Sequence, residues 1–181
     1  VLLLPMLLTP VAVGLMWRLM LNADTGVING VAGMLGMPGL NWLGDRTIAV
    51  ISVVLVDAWQ NIPFVVLLTL AGLQSLPEGP LEAASVDGAT RWQSLWHITL
   101  PMLTPVLGVV VMIRVIESIK LFDIIYILTQ GGPGTATQNL SVLNYRIGFS
   151  FMNTGQAAAL GILICVVLIP VFWLQRKANQ Q

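Results

Sequence analysis

The chain has 181 residues, 56% of them hydrophobic and 9% charged, with eight basic and eight acidic side chains and a mean hydropathy of +0.87. A soluble domain carries about 25% charged residues, so this composition is that of a membrane protein. Zero net charge and scattered basic residues leave no electrostatic footprint for nucleic acid, which is excluded as a partner.

The first element is the apolar run VLLLPMLLTPVAVGLMWRLM. It starts without Met and without a basic n-region, which argues against a signal peptide and suggests a chain cut within a span, with upstream spans missing. A bilayer core needs about 20 mostly apolar residues per helix. Four windows qualify, residues 1–21, 47–73, 101–129 and 156–174, and together they predict an all-α membrane protein, a polytopic helical bundle forming a single domain over 1–181. The connection after the first window, NADTGVINGVAGMLGMPGLNWLGD, has turn signals at both ends around a stretch too short to span, and reads as an interfacial helix.

The second window carries Asp57, Gln60 and Asn61 just before Pro63. Proline frees a backbone carbonyl and permits a kink, and polar side chains beside a kink at membrane depth suit the hydroxyls of a sugar. The next connection, about 77–100, holds EAASVDGATRWQSLWHITLP. Glu82 lies in the first turn of a short helix, where an acidic residue favours the positive end of the dipole, and Ala83 and Ala84 pack closely. Gly88 ends or bends that helix. A second short segment, Arg91 to His97, places Trp92, Leu95 and Trp96 at helical spacing before Pro101, which reads as the first residue of the next span.

The third window contains Arg114, Glu117, Lys120 and Asp123, alternating in sign at every third residue. Each would cost roughly 2.5–3.5 kcal/mol against lipid, so the ladder must face protein or water, as a brace between helices or as part of a solute path. A Gly/Pro turn follows in TQGGPGTATQNLSVLNYRIGFS and leads to a short segment bearing Tyr and Phe. The last window contains the single cysteine, Cys165, within GILICVVLIP; it permits no intrachain disulfide and reads as packing.

Basic residues near span ends stay cytoplasmic. Arg176 and Lys177 in the C-terminal QRK therefore set the last end inside, which brings Arg91 and the 77–100 connection inside and leaves Arg46 and Arg146 outside. Trp17, Trp42, Trp92, Trp96 and Trp173 fall near predicted span ends, where amphipathic rings prefer to sit.

The order Glu-Ala-Ala, three residues, Gly88, nine residues, then Ile98-x-Leu100-Pro101 resembles the EAA loop of ABC importer permeases. LNADTGVINGVAGMLG, NWLGD, LFDIIYILTQGGPG and NTGQAAALG extend the resemblance to the carbohydrate branch, the maltose and glycerol-phosphate type, over nearly the whole chain. The resemblance implies the type I importer permease fold with about two further spans upstream, in the bacterial or archaeal cytoplasmic membrane. It also implies a coupling role for Glu82, Ala83, Ala84, Asp87, Gly88, Ile98, Leu100 and Pro101 against a cytoplasmic ATPase. Asp57, Gln60 and Asn61, near Trp59 and Pro63, would line the sugar path with Glu117 and Lys120 from the following helix. The implied partners are a second, homologous permease subunit, an ATPase dimer that binds ATP and Mg, and an extracytoplasmic solute-binding protein. The chain itself would be noncatalytic and bind no cofactor, consistent with the absence of G-x-x-x-x-G-K-[ST] from its sequence.

An ion-coupled secondary transporter using the charge ladder as a relay is the alternative, although such a protein has no need of an EAA elbow. An intramembrane enzyme is disfavoured by the lack of H-E-x-x-H and G-x-S-x-G and by a single histidine.

Overall fold

The computed structural model describes the backbone of residues 3–178 and the side chains of residues 3–170. The side chains of Trp173, Arg176 and Lys177, on which orientation partly rests, lie outside the described residues. The described residues form ten α-helices and two π-helical turns, with no strand: α1 Leu4–Leu7, α2 Pro10–Met20, α3 Val27–Met34, α4 Arg46–Gln74, α5 Gly79–Val86, α6 Arg91–Ser94, α7 Leu100–Lys120, α8 Asp123–Thr129, α9 Leu140–Tyr145 and α10 Thr154–Ala178. The π turns are Leu95–Thr99 and Arg146–Ser150.

Two compact units divide the chain. The first draws on Val1–Pro63 and Glu117–Val166, the second on Phe64–Ile116 and Val167–Gln181. In the first unit Val13, Leu21, Val53, Val56, Ile124, Ile125, Leu128 and Val142 form the core. α2 lies along α8 because Gly14 removes a side chain at the crossing: a Cβ there would stand 3.0 Å from Ile127 Cγ2. Close approach through a small residue is how helices pack where lipid offers no hydrophobic gain from association. Trp17 meets Trp59 edge to face at 5.5 Å and packs on this core. Trp17 is therefore a packing residue of this core.

The run 1–21 is not one helix. α1 stops at Leu8, Thr9 caps α2 by accepting from the Ala12 amide (3.4 Å), and Pro10 takes the first helical position. A break frees carbonyls, and in lipid a freed carbonyl must find a protein donor. Leu8 finds the side-chain amide of Gln60, which donates to it at 3.1 Å.

The window 101–129 is likewise divided. α7 ends at Lys120, residues 121–122 are non-helical, and α8 starts at Asp123. The freed carbonyls are again met by side chains, with Asn139 Nδ2 donating to Leu121 and Ser141 Oγ to Ile119 (3.2 Å). At the other end of α8, Arg18 donates to the Ile127 carbonyl (3.1 Å) and Arg146 to that of Gln130 (2.7 Å), a residue in the left-handed region with φ +54°. Guanidinium groups thus meet carbonyls in and beside the last turn of α8, where cations complement the dipole.

The charge ladder is corrected by this break. Arg114, Glu117 and Lys120 ride on α7, but Asp123 opens a separate helix, so the four do not form one stripe. The break has no glycine or proline to announce it.

In the second unit the C-terminal half of α4 packs on the N-terminal half of α7 at Gly72, where a Cβ would lie 2.7 Å from Val106 Cγ1 and 3.0 Å from Leu103 Cδ1. Pro101 lies in the first turn of α7, as the sequence reading has it, but α7 is not a fresh start. The helix starts at Arg91 and runs through the π turn to Lys120, 30 residues in all. Within the π turn the Leu100 amide bonds to Leu95 rather than to the residue four back. The widened turn moves the hydrogen-bond register immediately before Pro101, which has no N–H to give.

Candidate solute cavity and coupling elbow

Connection 77–100 is built from two local motifs placed end to end. α5 begins with Gly79 and Pro80, proline fitting the first turn because its missing N–H is not needed there. It ends in a Schellman motif: the Ala89 amide bonds to Ala84 (2.9 Å), the Gly88 amide to Ser85 (3.2 Å), and Gly88 adopts φ +77°. Thr90 then caps α6 in a capping box, its hydroxyl accepting from the Gln93 amide while the Gln93 side chain accepts from the Thr90 amide (2.8 Å). One helix ends and the next begins within four residues, 87–90, leaving no slack between them.

Of the residues expected from the sequence to couple to an ATPase, Glu82, Ala83, Asp87 and Gly88 are exposed, whereas Ala84 is buried and Ile98 and Leu100 are half-buried. Pro101 is exposed on the continuing helix. Among the described residues nothing beyond its chain neighbours lies within 4 Å of a Cβ built on Gly88, so its backbone conformation, not crowding, is what asks for glycine. Val86, Trp92 and Trp96 add an apolar surface, 86%, 70% and 62% exposed.

A cavity of 340 Å³ opens in the first unit between α4, the end of α7, α8 and the loop before α9. Val50, Val53, Val54, Leu121 and Ile125 make an aliphatic wall, and Asp57, Ser118, Thr137 and Gln138 supply the polar groups. An apolar wall with a few convergent polar side chains is the usual form of a small-molecule site. Thr137 is held by a hydrogen bond to the Thr129 hydroxyl (2.6 Å) and by donation to the Gly132 carbonyl (2.8 Å), and Gln138 accepts from Arg146 (3.4 Å).

The expected path residues separate in this geometry. Asp57 lines the cavity. Asn61, one turn on, donates to the Asp57 carboxylate (3.0 Å) and to its carbonyl (2.9 Å), so it orients the aspartate from outside the lining. Gln60 is buried and committed to Leu8. Glu117 and Lys120 are exposed and are not among the lining residues, while Ser118 between them is. Ser118, Thr137 and Gln138 were not singled out from the sequence. The signal available for the last two was a Thr-Gln pair following the Gly/Pro turn.

Two helices among the described residues, Arg46–Gln74 and Arg91–Lys120, are long and apolar enough to cross a bilayer, and with the composition they define a helical membrane protein. More particularly, the chain belongs to the family of binding-protein-dependent transport system inner membrane components, whose model matches residues 1–180. It is 41% identical over 153 residues to the trehalose/maltose transport system permease protein MalF of Thermococcus litoralis, covering 84% of this chain and 52% of that one. It is 36% identical over 151 residues to the sulfoquinovosyl glycerol transport system permease protein SmoG of Agrobacterium fabrum, covering 83% and 49%. Its fold matches a crystal structure of a bacterial ABC transporter involved in the import of the acidic polysaccharide alginate, with TM-score 0.86 and 27% identity over 98% of this chain and 62% of that chain. The chain spans about half the length of these curated relatives.

Proposed function

We propose that this chain is a membrane subunit of a binding-protein-dependent ABC importer and carries a sugar or sugar derivative across the cytoplasmic membrane. The observation that carries the reading is the elbow, in which α5 is fastened by a Schellman motif and a capping box to a 30-residue helix. A short helix held that firmly moves as a body with the helix it is attached to, which is what coupling to an ATP-driven partner needs.

In this reading ATP and Mg belong to a separate cytoplasmic ATPase dimer. This chain provides the docking element through Glu82, Ala83, Asp87 and Gly88, and performs no catalysis itself. A second, homologous permease completes the translocation path, and an extracytoplasmic solute-binding protein delivers the solute. The alginate transporter has been crystallised in complex with an alginate pentasaccharide-bound periplasmic protein, which supports that partner here. Names of relatives that handle trehalose, maltose and sulfoquinovosyl glycerol support a carbohydrate. The cavity suits one: aliphatic side chains can cover a sugar ring while Asp57, Ser118, Thr137 and Gln138 meet hydroxyls.

Gly88→Val in the reconstituted complex tests the coupling. A β-branched residue at φ +77° is strained by about 1–2 kcal/mol, which loosens the joint without touching the spans. Uptake should fall and ATP hydrolysis should lose its dependence on the loaded binding protein, while complex recovery holds. Wild-type uptake together with wild-type stimulation would remove the elbow from the mechanism. Uptake by proteoliposomes that requires an ion gradient and ignores ATP would favour a secondary transporter instead.

A further inference from the structure

The connection between α2 and α4 holds a second cavity, 310 Å³, lined by Ile28, Val31, Ala32, Leu35, Met37, Leu40 and others, with Asn29 and the Trp42 indole N–H as its polar side-chain groups, the second already bonded to the first. Asn29 has nothing to offer an occupant. Its amide donates to the carbonyls of Ala23 (2.9 Å) and Leu40 (2.8 Å), and its oxygen accepts from the Leu40 amide (3.1 Å) and the Trp42 indole (2.8 Å). That uses both of its donors and both lone pairs. Water or a sugar entering the cleft would lose hydrogen bonds and recover none from this side chain, whereas a hydrocarbon chain would lose nothing.

The outside of the same module is also apolar. Val27, Val31 and Met34 of α3 and its cap residue Leu35 form one stripe at spacing i, i+4, i+7, i+8, and all four are more than half exposed, Met34 to 89%; Val31 and Leu35 also border the cleft, so stripe and cleft are continuous. No charged residue occurs between Asp24 and Asp45. The stripe is followed by exposed Met37 and Leu40 and then by exposed Val50, Ile51 and Leu55 in the first turns of α4. α4 has 29 residues, roughly 44 Å at 1.5 Å per residue, more than the ~30 Å hydrocarbon core, so its start at Arg46 falls at headgroup depth together with the module that precedes it.

We propose that this module is a lipid-binding element: α3 lies in the membrane interface with its stripe toward the acyl chains, and the cleft beside Asn29 takes the acyl chain of a membrane lipid. The proposal rests on α4 crossing the bilayer. The test places a bimane on Met34→Cys (stripe), Met37→Cys (cleft) or Leu55→Cys (α4), each in a Cys165→Ala background, in the complete complex in phosphatidylcholine nanodiscs. Nitroxide-labelled phosphatidylcholine should lower emission at both Met34 and Met37 about twofold, as for an apolar face sunk into the headgroup–acyl boundary, and aqueous iodide should have little effect. Quenching by iodide but not by nitroxide lipid, or by neither, would show the module facing water or protein and would overturn the proposal. Quenching at Met34 without Met37 would overturn the cleft as an acyl site. Loss of lipid quenching at Leu55 as well would bring down the spanning assignment of α4, and this proposal with it.

Discussion

At the scale of single residues, amides do most of the work in this protein. Gln60 and Asn61 are neighbours on α4, yet the first closes a helix break and the second steadies a carboxylate. Their variants should therefore differ in kind. Gln60→Leu leaves the part-buried Leu8 carbonyl without its donor, a loss of about 0.5–1.5 kcal/mol, so the thermal midpoint and the recovery of the complex should fall together. Asn61→Ala should leave complex yield near wild type and reduce uptake or shift substrate range, because Asp57 loses the side chain that orients it at the cavity. Uptake and yield measured in one strain separate the two, and unchanged uptake with reduced yield would make Asn61 structural. Arg146 shows why a basic residue can fall where the charge rule leaves it outside: its guanidinium reaches the Gln130 carbonyl and Gln138, so its position follows the needs of α8 rather than membrane sidedness.

Among elements, the crossing of α4 and α7 at Gly72 is the tightest point in the second unit. Gly72→Val would drive a side chain into Val106, 2.7 Å from the new Cβ, at a cost of about 1–3 kcal/mol. Complex stability should drop, and Val106→Ala should restore part of it by making room; no recovery in the double variant would mean that the strain lies elsewhere. The elements themselves were largely legible, because the long apolar run that holds AVISVVLV has the length and composition of a spanning helix and Gly88 before Ala-Thr marks a helix end followed by a helix start. The breaks at Leu8 and Leu121 were not. Each is held open by a side chain 52 or 18 residues away, and such closure leaves no local signature. Pro101 misled for the opposite reason: a strong local stop signal was absorbed by the π turn Leu95–Thr99 ahead of it. Of the cavity, Asp57 was legible as a charge in an apolar span shortly before a proline, whereas Thr137 and Gln138 are brought to it by the fold of a loop.

For the whole molecule, the proposed course through the bilayer predicts that Ser94 and Thr135 face opposite sides. Single-cysteine labelling with a membrane-impermeant maleimide should reach one from the cytoplasm and the other from outside, and access from a common side would sink that topology. The stitching of Leu8 by Gln60 bears on something else, the order in which the chain enters the membrane during synthesis. The Leu8 carbonyl leaves the ribosome 52 residues before its donor, and until then the broken backbone of the α1–α2 segment has no partner that lipid can provide. The segment must therefore wait in the protein-lined or watery shelter of the insertion machinery and move into lipid only alongside α4, as a pair. Glycosylation-site or crosslinking snapshots of arrested nascent chains should find α1–α2 beside the translocon until residue 60 has emerged, and Gln60→Leu should prolong that stay.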